Sequence, residues 1–200
     1  MRYIFFFFLT ICVSCRPINF SEKPNIILIV ADDLGYGDLS IFGNEYISTP
    51  NIDKLGNEGI ILTDFHSNGS VCSPTRAALL TGKYQQKVGV PGVITAKNHR
   101  DKGLSLDEKT FAEIAKEVGY KTGVFGKWHL GYDPKFSPIK QGFDEFIGFV
   151  SGNVDYHSHL DQEGFEDWWK GDSLFPETGY STDLISKHSI DFIKRNRNEN

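Results

Sequence analysis

Three groups of residues in this chain have the types and spacing to do chemistry. Cys72-Ser73-Pro74-Thr75-Arg76 sets a thiol two residues before a proline and four before an arginine. Pro74 suits the first turn of a helix, so Cys72 falls at the positive N-terminal end, where a thiolate or another anion is favoured. Arg76, one turn on, brings a planar, permanently charged donor toward the same anion. Asp32-Asp33 puts two carboxylates side by side. Like charges so close raise each other's pKa, and a hard, oxygen-loving cation such as Ca²⁺ or Mg²⁺ relieves the repulsion. A capped, solvated turn would account for that pair equally well. Lys127 and His129 lie two apart, on one side of the chain if it stays extended, although Trp128 between them would also suit a packed turn.

Each group follows a segment that reads as a strand. Residues 25–31, NIILIVA, form an apolar run too short for a helix and too continuous for a half-exposed strand, as expected of a central parallel strand. Pro50 then opens a helix with Ile52 and Leu55 on one face and Gly59 as its stop, and residues 60–65 read as a second strand. Phe111, Ile114, Ala115 and Val118 recur at helical spacing behind a polar stretch, Gly119 caps that helix, and residues 121–125 read as a third strand. The alternation predicts an α/β sheet, mostly parallel, with helices on both faces. Ligands of such sheets sit at the carboxyl ends of the strands, where all three groups fall.

Composition narrows the classes further. With 21 Lys+Arg against 26 Asp+Glu the chain carries a formal charge of −5, which argues against a nucleic-acid backbone as partner. No apolar run reaches the roughly 20 residues that span a bilayer. The N-terminus pairs Arg2 with an apolar run to Val13 and then Ser14-Cys15, the order of a secretory signal. Cys12-Val13-Ser14-Cys15 also resembles a bacterial lipobox, with Cys12 where Leu is usual. In that reading Cys15 becomes the lipidated first residue of an exported protein in the periplasm or at the cell surface. A simply cleaved signal and a buried N-terminal strand are the alternatives. Residues 1–19 are taken as the signal and 20–200 as the catalytic domain's N-terminal part. Export leaves the mature domain one thiol, Cys72, besides any lipidated Cys15, and a lone thiol there needs an explanation.

Cys72, Pro74, Arg76, Thr81 and Gly82 resemble the type I sulfatase signature, C/S-x-P-x-R followed by T-G. The resemblance extends over Asp32-Asp33, the block from Gly126 to Gly131 and Gly142-Phe143-Asp144. It implies an alkaline-phosphatase-like fold and a sulfuric ester hydrolase, nearest in character to arylsulfatases and N-acetylgalactosamine sulfatases. In that family a separate maturation enzyme oxidises the motif Cys to formylglycine, which would explain the lone thiol. The resemblance further implies that Asp32, Asp33 and modified residue 72 bind a divalent cation, Ca²⁺ ahead of Mg²⁺. Arg76 would hold the modified residue, Lys127 the sulfate and leaving oxygen, and His129 would assist proton transfer. His159, with Asn153 and His157, is expected at the pocket mouth, and Arg100 in a loop that could meet an anionic sugar. Trp168-Trp169 could stack on a sugar ring or simply fill the core.

Family members are more than twice this length and draw further metal and site residues from segments without a counterpart after residue 159. The chain is therefore expected to be an N-terminal part of a longer frame, with a polar tail from Lys194 and an incomplete sheet. A phosphate or phosphonate ester hydrolase of the same superfamily, and an inactive fragment that binds sulfated glycan, are the competing readings.

Overall fold

A computed structural model describes residues 23–197; the expected leader, with Cys15, lies outside the described residues. At its centre β1 (Gly123–Lys127) pairs in parallel with β2 (Glu145–Phe149). The short strands β3 (Trp169–Lys170) and β4 (Ser173–Leu174) extend the sheet antiparallel, in the order β1-β2-β3-β4. The sheet is thus mixed, its parallel pair being the one nearest the chemistry.

Successive strand residues face opposite sides, and each side meets a different core. Val124 and Phe146 join Trp128, Leu130 and Phe143 beneath α2 (Cys72–Thr81) and α3 (Phe111–Glu117), which contribute Ala77, Leu80 and Ala112. Phe125, Ile147 and Phe149 meet Trp168 and, from α4 (Ser181–Arg195), Leu184 and Ile185. Helices therefore cover both faces, as the sequence pattern predicts. In the parallel pair Gly126 stands opposite Gly148, and a Cβ on Gly148, at φ +155°, would collide with the Gly126 carbonyl. This close approach admits no larger residue.

The expected helices form where their caps lie. α1 (Pro50–Glu58) has Pro50 in its first turn and ends at Gly59. In α3 the Thr110 hydroxyl accepts from the Glu113 amide, and the Glu113 carboxylate accepts from the Thr110 amide at 2.8 Å.

The strands are less faithful to expectation. Residues 25–31 and 60–65 are not strands; Ile26, Ile29 and Ile60 are 71%, 80% and 90% exposed. A continuous apolar run becomes a strand when neighbours take up its backbone groups, and among the described residues none pairs with either run. The strand expected at 121–125 forms two residues later, where β2 gives it a partner. The expected tail begins inside α4, whose last turn places Lys194 and Arg195 against its negative end.

Candidate active site

The first turn of α2 is pinned from two sides. Ser73, fully buried, accepts a hydrogen bond at Oγ from the Ile94 amide at 3.1 Å. Thr75 Oγ1 donates to the Gly69 carbonyl at 2.9 Å, and Gly69 lies so close to Pro74 that a Cβ there would meet it at 3.0 Å. At the other end Gly82 adopts a left-handed conformation and closes the helix on the Ala78 carbonyl. The half-buried Cys72 thiol thus sits on a fixed turn, at the positive end of the helix.

Arg76 shares the helix face with Cys72, one turn along. Its guanidinium donates from Nη1 to the Lys127 carbonyl at 2.7 Å, and Nη2 lies 3.4 Å from Asp32 Oδ1. Lys127, the last residue of β1, places Nζ 2.6 Å from Asp32 Oδ2. Two cations converge on one carboxylate, with both cationic side chains largely buried and Asp32 41% exposed. Burial pushes the Asp32 carboxyl up, but the Lys127 hydrogen bond and the charges of Lys127 and Arg76 hold it below the usual carboxylate range. One positive charge is left over, so the arrangement is preset for an anion.

His129 completes the cluster by a different route from the extended strand considered above. β1 ends at Lys127 and His129 takes a left-handed φ of 57°, while Trp128 goes into the core. The imidazole is 3% exposed and donates from Nε2 to the Ile94 carbonyl at 2.8 Å. That bond fixes the tautomer, leaving Nδ1 with the lone pair, and no described group satisfies it. Burial, aided by the charges of Lys127 and Arg76, pushes the ring's pKa down to about 4, so it is neutral near pH 7. Gly152 lies under the ring, where a Cβ would meet Cε1 at 2.9 Å and Nε2 at 3.1 Å.

The expected cation site is only partly furnished. Asp32 and Asp33 are suitable hard donors, but Asp32 turns both oxygens to Lys127 and Arg76. Asp33 sits at a left-handed φ of 56°. A divalent cation of this kind takes six or more oxygens. Among the described residues no group of three or more His, Cys, Asp or Glu is placed to enclose one. These residues do not form a cation shell by themselves.

The expected substrate-side residues stand apart from this cluster. His159 is an interior residue, its ring stacked on Trp168 at 4.5 Å and its Nε2 donating to the Gly179 carbonyl at 3.1 Å. One ring face and its donor are engaged in this way, and the residue also lines a small hollow with Glu166, Asp167 and Glu177. Trp168 is core, and Trp169 donates to Asp167 at 2.6 Å. Arg100 pairs with Glu163 at 3.1 Å and lies over the rings of Tyr132 and Phe165. Asn153 is exposed, its carbonyl accepting from Ser151, and His157 is exposed beside Tyr180. The sequence reading missed Ser73, Ile94 and Gly152, which hold the first turn of α2 and His129 through a hydroxyl, a main chain and an empty space.

A sulfatase family model matches residues 24–200. The chain is 49% identical over 131 residues to arylsulfatase A of Homo sapiens, covering 64% of this chain and 25% of that protein. It is 35% identical over 194 residues to N-acetylgalactosamine-6-sulfatase of Canis lupus familiaris, covering 87% of this chain and 37% of that one. Among solved structures, Ps i-CgsB in complex with k-i-k-neocarrahexaose superposes with a TM-score of 0.80 at 35% identity, over 87% of this chain and 42% of that chain. A protein solved with its substrate D-glucosamine-2-N,6-O-disulfate superposes at 0.71 with 31% identity, over 89% and 33%. The α/β fold is that of these sulfatases, and the chain belongs to the sulfatase family. It spans between a quarter and under half of the length of these relatives.

Proposed function

We propose that this chain carries the nucleophile and the sulfate-binding residues of a sulfuric ester hydrolase acting on sulfated saccharides. The observation that carries this reading is the pairing of Arg76, on the helix face that bears Cys72, with Lys127 across Asp32. In the proposal a separate maturation enzyme converts Cys72 to formylglycine. Its hydrate offers two hydroxyls on one carbon, one to accept the sulfuryl group and one to expel sulfate as the aldehyde re-forms. A plain thiol or hydroxyl has no such exit.

The chain's own residues supply the rest. Arg76 and the N-terminus of α2 draw the sulfate oxygens in and stabilise charge that develops on them. Lys127 Nζ faces the ester oxygen and donates the proton that lets the alcohol leave. His129 Nδ1, neutral and unpaired, accepts a proton from the nucleophilic side. A divalent cation, Ca²⁺ ahead of Mg²⁺, belongs to the same proposal through Asp32, Asp33 and residue 72, with its remaining ligands outside the described residues. Relatives named for sulfated sugars support the substrate class. Export to the periplasm or cell surface, with lipid on Cys15, is proposed from the leader-like residues 1–19.

The test is peptide mass spectrometry on the protein from its native host, together with hydrolysis of paired aryl sulfate and aryl phosphate esters. The expected result is a residue 72 in which the CH₂SH group has become CHO, and sulfate released faster than phosphate. An unmodified thiol on active protein, or faster phosphate release, overturns the reading.

A further inference from the structure

The chain from Gly89 to Gly103 folds around a cavity of about 310 Å³, lined in part by Val90, Pro91, Ile94, His99 and Lys102. That volume lies near the lower end of small-ligand sites, roughly 300 Å³ upward, and leaves room for one sugar ring. Its wall is shared with the cluster described above. The Ile94 amide binds Ser73 Oγ, next to Cys72, and the Ile94 carbonyl binds His129 Nε2.

Two polar groups border this apolar hollow. His99 Nδ1 accepts from the Thr95 amide at 3.2 Å, which puts a proton on Nε2, a donor with no partner among the described residues. The Lys102 ammonium has no hydrogen bond or ion pair among the described residues. Arg100, two residues away, spends its charge on Glu163 and lies over two aromatic rings. Of the three cations in this segment, Arg100 is thus committed, Lys97 and Lys102 are unpaired among the described residues, and of those two Lys102 lines the cavity.

We propose that this cavity is a second anion subsite, in which Lys102 and His99 hold a sulfate or carboxylate on the sugar next to the one losing its ester. The inference rests on the hydrolase reading for its substrate class. A polyanionic saccharide would be chosen over a singly sulfated one because its second charge meets an unpaired ammonium at an apolar wall.

Calorimetry tests this on the full-length protein carrying Cys72→Ala, which leaves the ligand intact. The probes are a disaccharide with one sulfate on each ring and its singly sulfated counterpart. The expected result is a preference of about tenfold for the doubly sulfated probe, the size of one charge-assisted hydrogen bond. Lys102→Met abolishes the preference, whereas Lys97→Met, outside the cavity lining, retains it. Equal affinity for the two probes, a preference that survives Lys102→Met, or one that Lys97→Met removes equally overturns the subsite. Aryl sulfate hydrolysis by the protein with Cys72 intact tests the hydrolase reading separately. Its absence alongside a Lys102-dependent preference would sink the hydrolase and leave the subsite standing.

Discussion

Replacing His129 by Gln should change how the protein's stability depends on pH. The folded imidazole titrates at about 4 because burial disfavours its charged form, against 6.5 for an ordinary histidine. Between those values the unfolded chain holds a proton that the folded chain does not. Unfolding then takes up a proton, so stability falls as pH drops from 6.5 toward 4 and rises again as pH increases. A difference of two to three units corresponds to a ceiling of about 3 kcal/mol, reached at or below pH 4. Gln keeps an amide donor for the Ile94 carbonyl but does not titrate, so this component vanishes. The lost ring packing costs about 1–2 kcal/mol at every pH. His129→Gln should therefore be the less stable protein at pH 7.5 and gain on the wild type as acid is added, reaching parity or better at pH 4. Urea unfolding followed by the fluorescence of buried Trp128 and Trp168 measures both curves. Parallel curves from pH 7.5 to 4 would refute a buried, neutral His129.

Two further substitutions probe other links in the argument. Gly148→Ala puts a Cβ against the Gly126 carbonyl across the parallel pair and should cost about 3 kcal/mol or more, read as a large fall in Tm or loss of soluble protein. Lys127→Met removes the proposed proton donor and one of the two cations on Asp32, and should lower kcat on an aryl sulfate by a factor of about 10²–10³. Restored turnover on a substrate whose leaving group needs no proton would assign the loss to proton donation, whereas an equal loss would assign it to sulfate binding. Gly152→Ala crowds the His129 ring by a few tenths of an ångström and should lower kcat about tenfold with little change in KM.

The candidate site residues stand beside stronger local signals than most of the expected strands do. Cys72 and Arg76 stand beside a proline in a first turn and Lys127 at a strand end, whereas Asp32 follows a run that forms no strand and is held instead by Lys127 and Arg76. Residues 25–31 have an equally strong strand pattern, yet lie exposed, since the pattern records a wish for burial and says nothing of the neighbour that grants it. β2 was not among the expected strands. Residues 145–149, EFIGF, carry a glycine, weak in a strand interior but required where β1 approaches.

His159 has its donor on the Gly179 carbonyl and one ring face against Trp168. His129 differs in its surroundings. A buried histidine with a bound Nε2 would ordinarily be packing, but its bare Nδ1 and the charges of Lys127, Arg76 and Asp32 make it more than that. Both rings bind a carbonyl through Nε2, and the difference is that the Nδ1 left over on His129 is buried among charged groups. That residue of unsatisfied bonding, set by Ile94 and Gly152, carries the case for His129 as a base.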